Sequence, residues 1–301
     1  MREAPRLRLW LYLLACSGFW GSSYPLVRYA VSSMPPLSMT TARVSIAIVA
    51  MVVWLVLTRQ AGRPEGATVR HALVLGTLQG WVPSVLLAFA LGRIGAAPAS
   101  MIGAATPLIV ALGAWRLLRE EAMGRHTVAG LLVGFAGIAI LVGPMAAEGQ
   151  ATLLGAALVL GMSCCYAAAT LYARLARIST SAPLALGQHL ASLPVVAVLA
   201  VAIDGPGSFD QPPDIWLALA TVGVFGSAVS LTLYLRLLSF ARATEAAMVS
   251  YLQPVWASLI AAALLAEPPG WREVAGGACV LAGVWLASVR QPRAPLPRAA
   301  R

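Results

Sequence analysis

Ala99-Ser100-Met101, followed by Pro107 and then Leu117-Leu118-Arg119-Glu120, returns 147 positions later as Ala246-Ala247-Met248, Pro254 and Leu264-Leu265-Ala266-Glu267. Beyond the acidic stop the register continues after one missing residue. Thr127-Val128-Ala129-Gly130 with Ala136-Gly137 is answered by Glu273-Val274-Ala275-Gly276 with Ala282-Gly283. A proline, an acidic stop and a two-glycine helix face kept in step identify two copies of one unit.

The chain around this echo is 59% hydrophobic and 11% charged, with mean hydropathy +0.81. Too little polar surface is available to cover a soluble globule, whereas lipid accepts such a composition. The formal net charge of +10 is spread singly between apolar runs, so it does not form the basic face that nucleic acid requires. No nucleic-acid partner is expected; the partner is the lipid bilayer. Cys16, Cys164, Cys165 and Cys279 all lie in apolar runs without metal or redox spacing, and no metal or cofactor is expected. Leu13-Leu14-Ala15-Cys16 has the small-residue pattern of a lipoprotein cleavage site, but the apolar run continues to about Val31.

Apolar windows fall at roughly 9–30, 36–58, 71–91, 97–118, 127–143, 152–173, 182–203, 214–238, 244–266 and 271–289. Each is about the length of a bilayer span, and none alternates as a barrel strand does. The expected fold is therefore all-α and integral to the membrane, with ten transmembrane helices. If the N-terminus is cytoplasmic, the inner loops and tails hold 17 arginines, whereas the outer loops hold only Arg28, Arg93 and Arg272 among several acids. This imbalance predicts that both termini are cytoplasmic in an inner (plasma) membrane of bacterial type. Five spans per copy is an odd number, so the copies cross in opposite senses. The expected organisation is a first five-helix repeat over 1–145, a second, inverted repeat over 146–290, and a short basic tail over 291–301. Such a pair supports alternating access around a midplane site, and a carrier of this size can work as a monomer.

Gly18-Phe19-Trp20-Gly21-Ser22-Ser23-Tyr24-Pro25, the Pro36-x6-Arg43 spacing, and spans four and nine each ending in proline-then-glutamate resemble the EamA-type drug/metabolite transporters over about residues 9–290. Met248-Val249-Ser250-Tyr251-Leu252-Gln253-Pro254 is also similar to a stretch of the YddG-type amino-acid exporters. The resemblance implies an inner-membrane exporter of amino acids or other small metabolites.

Arg43 lies about a turn from the centre of its span, where a guanidinium costs at least ~2.5–3.5 kcal/mol on insertion scales. Either it meets a substrate carboxylate across a wet cavity, or it caps backbone carbonyls and locks helices together. Its counterpart 146 positions on is His189, which either titrates during transport or makes an interhelical bond. Trp20, Tyr24, Gln79, Trp81, Tyr251 and Gln253 are the further candidate substrate-binding residues, each alternatively a packing or interfacial residue. Pro107 and Pro254 each remove a helix hydrogen bond near mid-span, predicting hinges or static kinks, and freed carbonyls that could meet an ammonium. Gly130, Gly134, Gly137, Gly276 and Gly283 require only close helix packing.

No Asp or Glu falls near a span centre, which leaves His189 as the deep group titrating near neutral pH and predicts a uniporter or a weakly proton-coupled carrier. No phosphate loop is present, so ATP is not the direct energy source. The alternatives are export of purines, drugs or nucleotide-linked compounds, or a membrane enzyme acting on lipid-linked substrates. The last would need a reactive cluster near one interface, for which His126 beside Glu120, Glu121 and Arg125 is the nearest approach.

Overall fold

The structure is a computed structural model describing residues 4–58, 66–118, 124–176, 178, 182–240 and 243–288. Arg119 and Glu120 of the echo, Glu121 beside them, and the basic tail lie outside these residues. Helices account for nearly all of the described chain: α1 (Ala4–Ala30), α2 (Pro36–Leu57), α3 (Gly66–Leu75), α4 (Val82–Leu91), α5 (Ala96–Gly103), α6 (Thr106–Leu118), α7 (Arg125–Glu148), α8 (Gln150–Leu175), α9 (Ala182–Leu199), α10 (Pro213–Gly223), α11 (Ser230–Phe240), α12 (Ala243–Leu265) and α13 (Trp271–Ser288). No strand occurs among the described residues. Wide π turns at Gly76–Trp81 and Val224–Val229 join α3 to α4 and α10 to α11, and a third, Ala200–Asp204, extends α9.

Prolines start several of these helices, because a first-turn residue needs no N–H partner and the fixed φ suits the helix. Pro36 opens α2 and Pro213 opens α10. Gly149, at φ +125, separates α7 from α8, and Gly205, at φ +83, follows the π turn of α9; a side chain would be strained at either. The helix expected to end near 143 runs through Pro144 to Glu148, so the break between α7 and α8 is a single glycine.

Among the described residues, seven helical runs are long and apolar enough to cross a membrane, and Val249–Leu265 is a shorter apolar helix. Their outer faces carry the side chains that lipid would cover, with Leu132, Val198, Ile203 and Leu217 each more than two-thirds exposed. The inner faces meet through small residues. Where α7 crosses α13, a Cβ on Gly137 would lie 2.6 Å from the Val280 nitrogen and 2.7 Å from the Gly276 oxygen. Gly21 of α1 is equally tight against α12, 2.7 Å from the Gln253 carbonyl. Lipid tails are as apolar as the side chains, so close backbone packing, more than hydrophobic exclusion, holds such helices together.

Candidate functional site: a polar cavity in the helix bundle

Polar bonds between distant helices collect at the end of the bundle where α1 finishes. Arg28 Nε donates to Glu267 Oε1 at 3.3 Å, and its Nη1 donates to the Leu91 carbonyl, tying α1 to the ends of α12 and α4. Tyr29 Oη donates to Asp214 at 2.5 Å. The backbone N–H and hydroxyl of Ser38 both donate to Asp204 Oδ2, at 2.8 and 2.9 Å. Nearer the opposite end, His71 Nδ1 and Tyr172 Oη are 2.9 Å apart.

Between the two ends lies a cavity of about 410 Å3, a volume ordinary for small-molecule sites, which run about 300–1,000 Å3. A cleft of about 470 Å3, lined by Arg93, Trp271 and Arg272, sits at the surface near the Glu267 end and is separate from it. The central cavity takes in Leu184, only two residues from the start of α9, so it reaches furthest toward the end away from the Arg28 bonds.

Six of the candidate residues line this cavity: Trp20, Tyr24, Arg43, Gln79, His189 and Gln253. Two do not. Trp81 packs beside Leu37, Val196 and Ala200 on the far side of its helix, and Tyr251 packs against the main apolar core. Pro107 and Pro254 also stand behind the wall, with unlike local effects. At Pro107 the helix is interrupted: α5 ends at Gly103 and α6 begins at Thr106. The Gly103 carbonyl, which Pro107 cannot bond, accepts the Thr106 hydroxyl at 2.7 Å. Pro254 lies inside the continuous helix α12, and the carbonyl it cannot bond belongs to Ser250, a cavity residue.

Arg43 makes no hydrogen bond or ion pair to a described residue; its electrostatic neighbours are the phenols of Tyr24 and Tyr166 and the His189 ring. Among the described residues no aspartate or glutamate lines the cavity. His189 Nδ1 donates to the Ala185 carbonyl at 3.0 Å in its own helix, which leaves Nε2 as an acceptor when the ring is neutral. Trp20 packs its ring 5.1 Å from that of Tyr234. Among the described residues no group of three His, Cys, Asp or Glu side chains is arranged to hold a metal.

The cavity wall follows the 146–147-residue register found in the sequence. Trp20 and Tyr166, Tyr24 and Thr170, Arg43 and His189, Ser84 and Leu231, Leu87 and Tyr234, Gly103 and Ser250, and Thr106 and Gln253 are register mates, and all face it. The two mid-bundle π turns, Gly76–Trp81 and Val224–Val229, match within one residue under the same shift. A proline explains the first: Pro83 has no N–H for the Gln79 carbonyl, and the helix widens just before it. Absent side chains at both turns let neighbours in. A Cβ on Gly76 would be 2.7 Å from the Gln188 oxygen, and one on Gly223 would be 2.7 Å from Ile46. Ser192 fastens the first turn to α9, donating to Gly76 at 2.8 Å or to Gln188 at 2.7 Å. Ser84, Thr106, Gln188, Ser192 and Ser227 line the cavity without having stood out in the sequence.

An apolar helical bundle enclosing a polar cavity, without a metal cluster among its described residues, has the build of a membrane transport protein. The EamA-like transporter family matches residues 8–143 and again 153–289. The chain belongs to that family. Relatives agree: a protein of Archaeoglobus fulgidus described as an uncharacterized transporter is 25% identical over 280 residues, 93% of this chain and 98% of its own. Another, from Synechocystis, is 27% identical, covering 95% of this chain and 91% of the relative. A solved crystal structure at 19% identity superposes with a TM-score of 0.65 over 92% of this chain and 95% of its own, and shows the same fold.

Proposed function

We propose that this transporter exports amino acids or similar small zwitterionic metabolites across an inner membrane by alternating access. Arg43 carries the reading. A guanidinium with five donors and no acceptor among the described residues, deep in an apolar bundle, is costly unless water and a ligand oxyanion complete it. In this assignment a substrate carboxylate pairs with Arg43, and its side chain lies against Trp20, Tyr24 and Tyr166. His189 contributes a hydrogen bond or a titrating proton, and Gln79 and Gln253 orient the polar groups. Trp81 and Tyr251 act at one remove, through packing behind the wall.

The chain is assigned ten spans with both termini cytoplasmic, in two inverted halves over 1–145 and 146–290. The register-matched cavity pairs and π turns support this assignment, because an inverted pair presents equivalent positions to one midplane site. Pro107 and Pro254 are the proposed hinges. The conformation described is closed at the Arg28 end, and transport requires that clasp to open while the other end closes. No carboxylate among the described residues lines the cavity to relay protons, so the carrier works as a uniporter or couples weakly through His189.

The test is reconstitution in liposomes loaded with a panel of labelled amino acids, comparing wild type with Arg43→Ala. Efflux of at least one amino acid above empty liposomes, lost in Arg43→Ala, is expected. Efflux of a nucleobase or drug with no amino acid moving would overturn the substrate assignment and favour the other metabolites.

A further inference from the structure

The charge of the cavity is one-sided. Among the described residues Arg43 is its one permanently charged lining side chain, and what they offer a cation is neutral: the amide oxygens of Gln79, Gln188 and Gln253, the tyrosine hydroxyls and the His189 ring. Asp204, Asp210, Asp214, Glu267 and Glu273 lie at or beyond helix ends, and three of them already accept side-chain bonds there. A carboxylate seated on Arg43 gains a charge-assisted pair. An ammonium on the same ligand gives up its hydration for neutral acceptors and meets no opposite charge, a poorer exchange. A hydroxyl in its place needs no counter-charge and bonds the same amides and phenols as donor or acceptor.

Building on the amino-acid assignment of this same site, we propose that the carboxylate is the recognised group and the ammonium is dispensable, so that the cavity takes small 2-hydroxy monocarboxylates as a second substrate class. An electrical consequence follows. With Arg43 fixed on the protein, a zwitterion crosses carrying no net charge, whereas a monoanion carries one, so an inside-negative potential drives the efflux of the second and not of the first.

The experiment uses proteoliposomes of the full chain and matched triplets built on the alanine, leucine and phenylalanine side chains: the amino acid, its 2-hydroxy acid and its decarboxylated amine. Exchange of the labelled amino acid is measured against each unlabelled competitor, and the labelled hydroxy acid is then followed with and without an imposed potential. For a transported side chain, the hydroxy acid is expected to inhibit within about tenfold of the amino acid's own concentration, and the amine to fail at about a hundredfold excess. Labelled hydroxy acid should move, respond to the potential where the amino acid does not, and stop moving in Arg43→Gln. Amino-acid exchange that the hydroxy acid fails to inhibit, or that the amine inhibits equally, overturns the proposal and leaves the amino-acid assignment standing. If no member of any triplet moves, both fall together.

Discussion

Replacing Arg28 by Gln tests the idea that the polar bonds at one end of the bundle are a clasp. Two interactions are lost. The ion pair to Glu267 spans 3.3 Å, with the two side chains 30% and 34% exposed, so solvent screening leaves it under about 1 kcal/mol. The bond to the Leu91 carbonyl is charge-assisted and contributes about 1.5–3 kcal/mol. Together they favour the closed arrangement by about 2–3 kcal/mol, so their loss shifts the closed-to-open ratio by ~30–150-fold. The second oxygen of Glu267 is buried without a hydrogen-bond partner, so Arg28→Gln also strands a carboxylate, and Arg28→Gln with Glu267→Gln separates the two contributions. The assay places a cysteine at Ser84, which lines the cavity, in a background with Cys16, Cys164, Cys165 and Cys279 replaced. Alkylation by a membrane-impermeant maleimide is timed from each face. From the Arg28 face the rate should rise by ~10-fold or more in Arg28→Gln, the lower bound allowing for rearrangement of neighbouring bonds. An unchanged rate in a variant with unchanged thermal stability would refute the clasp.

Packing and coupling give three further expectations. Gly137→Val should force α7 from α13, because even its first carbon would sit 2.6 Å from the Val280 nitrogen, and lower stability by about 1–3 kcal/mol, read as a fall in detergent Tm. Gly143→Ala, in the same helix but with nothing within 4 Å of the added carbon, should leave Tm unchanged or raise it; equal falls in both would show that the crossing is not the cause. His189→Gln should abolish any response of flux to an imposed pH gradient, and a response that survives would remove His189 as the coupling group.

The all-helical, membrane-spanning character is legible in the sequence because its signals are local: apolar length and proline punctuation. The helical runs over 36–57, 96–118 and 271–288 fall within a few residues of their windows. The site is less legible, since whether a residue faces a cavity depends on rotation about the helix axis and on neighbours distant in the chain. Trp81 and Gln79 are two residues apart and so point to nearly opposite faces of their helix: Gln79 enters the cavity, and Trp81 turns toward Val196 and Ala200, but which of the two faces is the wet one is set by the neighbouring helices. Ser192 and Thr106 are ordinary small polar residues by sequence, and only their hydrogen-bond partners give them meaning. The repeat register holds a signal that reaches further. Shifting the candidates Trp20, Tyr24 and Gln253 by it lands on Tyr166, Thr170 and Thr106, all in the cavity wall. Pro107 and Pro254 show the limit of that reasoning, since the same residue breaks one helix and leaves the other continuous.

The most direct test of Arg43 as a ligand anchor is equilibrium binding of labelled amino acids to the purified carrier, comparing wild type, Arg43→Gln and Arg28→Gln. At least one amino acid should bind saturably to wild type and to Arg28→Gln, and at least ~30-fold more weakly to Arg43→Gln, the scale for losing one partner of a desolvated charge pair. Equal binding to wild type and Arg43→Gln would contradict the account.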